Sequence, residues 1–292
     1  MSTMSNTFRT TMLLAALTGL IVWVGQVLGG TQGAFVAFVL AAMMNAGSYW
    51  FSDRIVIAMY RGQQIQQSDD PELWAIVQGL AMKSGIPMPR LYLVPSESPN
   101  AFATGRNAEH AAVAVTAGIR QLLDRHELEG VLAHEIAHVT NRDILIGSIA
   151  ATLAGAVMML ASMARWSLIF GGGQRDERDG GSNAIGLLVT VIVAPIAAML
   201  IQLAISRSRE FQADATGARV CRNPEALASA LRKISAYSAR VPLEANPQTA
   251  HLFIINPLRG GTLQSLFSTH PPLEQRVERL ERIAGELGVA HR

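Results

Sequence analysis

The sequence predicts an α+β fold, mainly helical, in which a catalytic-type globular domain with a small antiparallel sheet is interleaved with up to four transmembrane helices. Three observations lead there. Half of the 292 residues are hydrophobic and only 16% are charged, against about 25% in an ordinary soluble domain, a deficit that points to membrane insertion. The missing charges are not spread evenly, because long uncharged stretches alternate with segments of soluble composition. Those soluble segments mix amphipathic helical periods with short strand-like runs.

Residues 10–52 form the first uncharged stretch, divided at "GGTQG" (Gly29 to Gly33) into two apolar halves. Each half has the roughly 17–25 residues that a spanning helix needs. Tyr49 and Trp50 suit an interface, and Asp53-Arg54 marks the exit. A cleaved signal peptide fits less well, because a second apolar half follows at once and only Arg9 precedes the first.

Residues 53–143 read as the first part of the soluble domain. Pro71 to Gly85 has the start and stop signals of an amphipathic helix. Arg90 to Val94 and Ala111 to Thr116 read as strands, and "NAFAT" (Asn100 to Thr104) as a third. Leu123 to Asp143 reads as a helix. Residues 144–206 hold two further apolar stretches, Ile144 to Ala164 and Ala184 to Ser206, around a glycine-rich charged loop. Residues 207–292 return to soluble composition. The closing helix carries an apolar stripe of Leu273, Val277, Leu280 and Ile283, the ordinary pattern of a core-facing side.

Composition also excludes. The net charge is +2 and no Lys/Arg-rich run is present, so no nucleic-acid partner is expected. The single cysteine, Cys221, forms no internal disulfide and offers no Cys pair to a metal. Any metal must be held by His and carboxylate.

Such a set begins with "HEIAH". On a helix, His134 and His138 lie four residues apart on one face and can reach one ion. Glu135, offset by one position, can hold and deprotonate a water at that ion, the chemistry that amide hydrolysis requires. "HELEG" at His126 starts the same way but has Gly130 where a second His would stand, so His126 reads as an exposed helix residue. A third His six residues beyond the second is ruled out, because positions 141 and 144 are Asn141 and Ile144. The remaining route is a glutamate from a later helix. Glu210 in "SRSREFQADATGARV" stands just after the fourth apolar stretch, with Asp214 one turn on, where it could hold a His ring nitrogen. Read alone, that pair could simply answer Arg207 and Arg209; beside the His motif it reads as zinc ligand and supporting carboxylate.

A shared ion constrains topology. If Glu210 joins His134 and His138, an even number of crossings separates them. Arg54, Arg142, Arg207 and Arg209 flank the span ends on that side, which the positive-inside rule places in the cytoplasm. Arg175 and Arg178 in the intervening loop weigh against two full crossings and leave a hairpin or partial re-entry open.

The two N-terminal spans, "HEIAHVTNRD" leading into an apolar stretch, "SRSREFQADATGA" after another, and late "STHPPLEQR" together resemble the HtpX family. These are bacterial inner-membrane zinc metalloproteases related to the CAAX prenyl endopeptidases. The resemblance covers essentially the whole chain. It implies a gluzincin-type domain facing the cytoplasm, one Zn2+ per chain, a multi-pass protein of the cell inner membrane, and cleavage of misfolded membrane proteins or other unfolded polypeptides under stress. Specific processing, closer to the prenyl-protein relatives, and a non-catalytic scaffold around a structural zinc are the alternatives. Carried over by position, His134, His138 and Glu210 are ligands, Glu135 the general base and Asp214 the supporting carboxylate. Asn100, Ala101, Phe102, Ala103 and Thr104 match the family's strand beside the cleft, where substrate backbone would add as a further strand. His270 matches a cleft position from which it could stabilise an oxyanion; otherwise it merely precedes the helix begun by Pro271 and Pro272.

Overall fold

A computed structural model describes residues 3–150, 152, 207–240, 252–255 and 271–289. The chain divides into two compact units, Met1–Trp50 with Ile149–Ala204 and Phe51–Ser148 with Ile205–Arg292.

Helix α1 (Thr3–Met59) is two helices joined at a kink, where Gly29 and Gly30 leave helical geometry and Gly30 takes φ +59°. The halves fold back on one another. A Cβ on Gly33 would lie 2.2 Å from the Gly25 carbonyl oxygen, so only glycine permits this approach. Further along, Asn45 Nδ2 donates to Thr18 Oγ1 at 2.8 Å. Gly29–Met59 is long and apolar enough to cross a membrane, whereas the apolar helix before the kink, Thr11–Gln26, is shorter. Phe35, Val36, Phe38, Leu40 and Met43 point outward and are exposed, a surface that water does not favour. The helix closes with the Arg61 N–H on the Ala58 carbonyl and the Gly62 N–H on that of Ile57, with Arg61 at φ +53°.

The second unit holds four strands: β1 (Gln63–Ile65), β2 (Arg90–Val94), β3 (Ala101–Thr104) and β4 (Ala112–Thr116). Their order is β1-β2-β4-β3. The sheet is mixed, not antiparallel as the sequence suggested: β1 and β3 run antiparallel to their neighbours, but β2 and β4 are parallel. The reason is the intervening hairpin. After β2 the chain passes the place that β4 will take, makes β3 at the edge, and turns back to fill the gap. All five β4 residues are consequently buried. Strand β1 had no sequence signal, being three polar-flanked residues with an exposed pattern.

Helix α2 (Pro71–Ser84) has the expected bounds: Asp70 caps its first turn, and Gly85 ends it at φ +66°. A short helix α3 (Ala117–Leu122) follows β4. Helix α4 (Arg125–Thr140) starts in a capping box made by Asp124 and Glu127. It is the centre of the unit, packed on α2, β3, α5 (Arg207–Cys221) and α6 (Pro224–Arg240). Glu127, 4% exposed, also accepts from Ser229 Oγ and Lys233 Nζ, both at 2.7 Å, which ties α4 to α6. Two glycines let the neighbours close in. Gly130, read in the sequence only as a missing histidine, meets the Leu227 backbone; Gly217 of α5 meets the backbone of Ala133 and His134. Helix α7 (Leu273–Leu287) buries Val277, Leu280 and Ile283 of the expected stripe.

The helix expected over Leu123 to Asp143 stops short, at Thr140, so it does not run straight on into the third apolar stretch. It breaks at 141–143 and resumes over 144–150. The Arg142 N–H bonds the Val139 carbonyl, the Asp143 N–H bonds that of His138, and Arg142 takes φ +58°. This is a Schellman stop with arginine where glycine is usual, so neither Gly nor Pro announced it. The rest of the third apolar stretch and the fourth lie outside the described residues.

Gly217→Ala puts a methyl carbon 2.8 Å from the Ala133 and His134 backbone and is expected to cost about 1–3 kcal/mol, read as a lower thermal midpoint. Gly79→Ala on α2, where a Cβ meets nothing within 4 Å, is expected to stabilise by up to about 1 kcal/mol.

Candidate metal centre

The site lies wholly within the second unit, around the buried face of α4. His134 is 1% exposed, Glu135 5% and Glu210 6%. The i, i+4 spacing brings His134 Nε2 and His138 Nε2 to 3.1 Å of each other. Glu210, in the first turn of α5, straddles them: Oε2 is 3.8 Å from His134 Nε2 and Oε1 is 3.7 Å from His138 Nε2. The three candidate ligand atoms all lie within 4.8 Å of one another. Ligands about 2.05 Å from a tetrahedral zinc stand about 3.3 Å apart, so the His pair is nearly at that spacing and the carboxylate a few tenths of an ångström wide of it. The donor set of two imidazoles and one carboxylate suits such an ion.

Each histidine is held from behind. His134 Nδ1 lies 2.9 Å from Asp214 Oδ1. Burial depresses His134, although Asp214 pulls the other way, and so favours the neutral ring that can ligate through Nε2. Asp214 itself is clamped by Arg276 of α7, with Nε donating to Oδ2 at 2.8 Å and Nη2 to Oδ1 at 2.7 Å. Burial pushes Asp214 up, but Arg276 and then His134 hold it down at about 2. The third Arg276 nitrogen, Nη1, donates to the Ile254 carbonyl at 2.6 Å. On the other ring, His138 Nδ1 hydrogen-bonds Asp143 Oδ1 at 3.0 Å. Burial opposes charge on His138, yet Asp143, Glu210 and Glu135 raise it to about 10.

Glu135 Oε2 accepts the backbone N–H of Ala103 at 2.9 Å, and among the described residues no hydrogen bond is made to Oε1. Burial pushes Glu135 up to about 8; His138 lowers it and Glu210 adds to the rise. Two carboxylates in one dry cleft are costly together, and a divalent cation between them would relieve that cost.

Strand β3 lines the cleft with its free edge. The Thr116 N–H bonds the Asn100 carbonyl, so Asn100, Phe102 and Thr104 turn their backbone to β4, and Ala101 and Ala103 turn theirs outward. The Ala103 N–H goes to Glu135, and that of Gly105 to Ser148 Oγ at 3.1 Å. Asn100 thus serves differently from the rest of "NAFAT". Its side-chain amide accepts the Ile254 N–H at 3.1 Å and donates to the Leu252 carbonyl at 3.4 Å, fixing the segment that forms the opposite wall.

The structure therefore brings His134, Glu135, His138, Glu210, Asp214 and the β3 edge together. His270 lies outside the described residues. Two residues were missed. Asp143 looked like the polar end of a long helix. Arg276 stood in plain view as one charge on the apolar face of the closing helix, at the i+3 position from Leu273, and a charge at that register calls for a buried partner. His126 is exposed, as expected.

The sequence matches Peptidase family M48 over residues 67–284. It is 57% identical over 289 residues to a protease HtpX homolog of Desulforapulum autotrophicum, covering 99% of this chain and 93% of that one. It is 59% identical over 279 residues to the homolog of Syntrophobacter fumaroxidans (95% and 99% covered). A homolog from Pyrococcus furiosus is 56% identical over 282 residues (96% and 97% covered). Among solved structures, S. mikatae Ste24p aligns with a TM-score of 0.52 at 17% identity, over 95% of this chain and 66% of that one, a likeness of fold.

Arg276→Met leaves Asp214 an unpaired buried charge and is expected to cost about 3–5 kcal/mol of stability, measured by denaturant unfolding. The sign with pH follows from the depressed Asp214. In the intact protein the pair's contribution is complete above about pH 4, the ordinary carboxylate range. It is lost as pH falls toward 2, so only the wild type should lose this increment across that window. Asp143→Ala is expected to weaken zinc binding about 10–100-fold by chelator competition, with Asp143→Asn between it and wild type.

Proposed function

The chain belongs to peptidase family M48 and is a metalloprotease, and from that premise we propose that it is a membrane-bound zinc endopeptidase acting on unfolded or misfolded polypeptides, membrane proteins among them. The observation that carries this reading is the convergence of His134, His138 and Glu210 beside a buried Glu135 on the free edge of a sheet. His134, His138 and Glu210 would hold one Zn2+. When bound, the ion supplies Lewis acidity at the scissile carbonyl and eases deprotonation of water.

The residues supply the rest. Glu135 Oε1 takes the proton of the attacking water and passes it to the departing amine nitrogen. Asp214 is placed to keep the His134 proton on Nδ1, and Asp143 to do the same for His138, which would leave each Nε2 lone pair for the ion. The outward backbone groups of Ala101 and Ala103 offer a rung for an extended substrate strand, recognition that depends on main chain and tolerates varied sequence. This suits clearance of unfolded chains better than processing of one motif. The apolar Gly29–Met59 helix supports a membrane location, and the arginines at Arg54, Arg142 and Arg207 support a catalytic unit on the cytoplasmic side of an inner membrane. His270 remains the candidate for a further hydrogen bond to the oxyanion.

Purified in detergent with zinc, wild type is expected to cleave a reduced, alkylated polypeptide. Glu135→Gln should keep its zinc and lose at least about 10³-fold in rate; equal rates for the two would sink the mechanism. Glu210→Ala should lose zinc as well as activity, and full metal retention there would assign the third ligand elsewhere.

A further inference from the structure

Ser148 is 0% exposed, in the helix that begins the third apolar stretch. A serine in such a helix is ordinarily satisfied by giving its proton to the carbonyl four residues back, and Ser148 Oγ does so, to Ile144 at 2.8 Å. That accounts for its proton but not for what its oxygen accepts. Oγ takes the Gly105 N–H at 3.1 Å and the Thr104 hydroxyl at 2.7 Å, Thr104 being the donor because the Ser148 proton is already placed. The tie falls where the ladder of β3 ends. Thr104 pairs with Ala112, and Gly105 then leaves the strand at φ +139°, with the His110 carbonyl oxygen 2.5 Å from where a Cβ would stand. On the other side of Ala103, Phe102 rests on the Tyr60 ring, with centroids 5.1 Å apart. Ala103 is thus held on both sides. Among the described residues its N–H is the one hydrogen-bond donor to the Glu135 carboxylate, at 2.9 Å.

We propose that Ser148 is a positioning residue for Glu135 and acts on it through β3. The proposal rests on the peptidase reading above, in which Glu135 takes the proton of the attacking water. A glutamate side chain rotates about several bonds, and α4 fixes only its backbone. The Ala103 N–H selects one orientation, and that donor is only as well placed as the strand that carries it. Strand β3 is four residues long and stands at the sheet edge, so a partner strand steadies it on one side alone. On the other side Ser148 stands in for the missing neighbour, taking the next outward donor along the edge after that of Ala103. Without the hydroxyl, the Gly105 N–H and the Thr104 side chain lose this partner, and the end of β3 is loosened beside the base. A displacement of about 1 Å at a reacting group costs on the order of 10²-fold in rate. The stretch that supplies Ser148 also supplies Asp143 behind His138, so one short segment supports both a candidate ligand and the base.

The test compares zinc-loaded full-length variants in detergent on an unfolded polypeptide. Ser148→Ala should lose about tenfold or more in kcat, with KM within about threefold and zinc content as in wild type. Thr104→Val, isosteric and suited to a strand, should lose kcat in the same direction, whereas Thr104→Ser, which keeps the hydroxyl, should retain it. The effect must run through the base. Placed in Glu135→Gln, Ser148→Ala should cost less than about twofold more. The full loss in that background overturns the proposal, as does wild-type kcat in Ser148→Ala or a loss that merely follows zinc content. A turnover-free arm reads amide hydrogen exchange in the metal-free protein. Exchange at Ala103 should quicken about tenfold in Ser148→Ala, while Val113 and Val115 of β4 keep their wild-type rates. Unchanged exchange at Ala103 overturns the proposal. Should Ser148→Ala not fold, Thr104→Val carries both measurements. Quickened exchange in a protein that cleaves nothing would keep the tie and sink the peptidase reading. Cleavage with neither kcat nor Ala103 exchange altered would do the reverse.

Discussion

Arg276 and Asp214 form a two-point ion pair in which neither side chain is more than 2% exposed, and the geometry of the site follows from the need to satisfy it. An isolated buried charge costs several kcal/mol, so each of these groups must use every hydrogen-bonding direction it has. Asp214 spends its two oxygens on Arg276 and on the ring of His134. Arg276 spends its remaining nitrogen on the carbonyl of Ile254. One pair thereby fixes α7 to α5, α5 to the histidine face of α4, and a wall of the cleft to both. The candidate metal ligands come from α4 and α5, and their relative placement is set by this contact together with the bare approach at Gly217.

A second constraint acts at the far end of α4. His138 needs a carboxylate behind its ring, but the apolar segment that follows supplies none in helical register. The chain meets both demands by stopping the helix in three residues. Arg142 accepts a left-handed backbone, costing about 1–2 kcal/mol, and that turn swings Asp143 back onto His138 before the apolar helix resumes. The same segment then provides Ile144, Gly147 and Ser148 to the cleft. The nearness of the candidate metal site to an apolar helix is thus a matter of shared residues: the turn that supports a candidate ligand also begins a wall of the cleft.

Mixed pairing in the sheet serves the same end. Placing β3 at the edge, outside β4, turns the amides of Ala101 and Ala103 away from β4 and puts Ala103 on the cleft, where Glu135 takes its N–H. Had the sheet been a simple antiparallel meander, the strand beside α4 would have been the last in sequence and its edge would have faced elsewhere. Exposed edges are a hazard in free solution; here the edge is confined by Glu135, Ser148 and the segment held by Asn100.

What the sequence determined by itself is what repeats locally. Charge-free length marked the two apolar halves of α1, Asp70 and Gly85 bounded α2, and the i, i+4 histidines declared a candidate metal face with Glu135 beside it. The position just after the fourth apolar stretch pointed to Glu210, and the turn beyond it to Asp214. Each of these is a property of a few neighbouring residues, fixed by helical rise or by capping chemistry. The mixed order of the strands, the reversal at Arg142, the clamp from Arg276 and the side-chain bridge from Asn100 to Ile254 were decided only by tertiary structure. The reversal joins near neighbours, Val139 to Arg142 and His138 to Asp143, but no glycine or proline marks it; the others join residues tens to more than a hundred positions apart. No period connects such partners, and a buried charge reveals its meaning only when the group that neutralises it is brought within 3 Å.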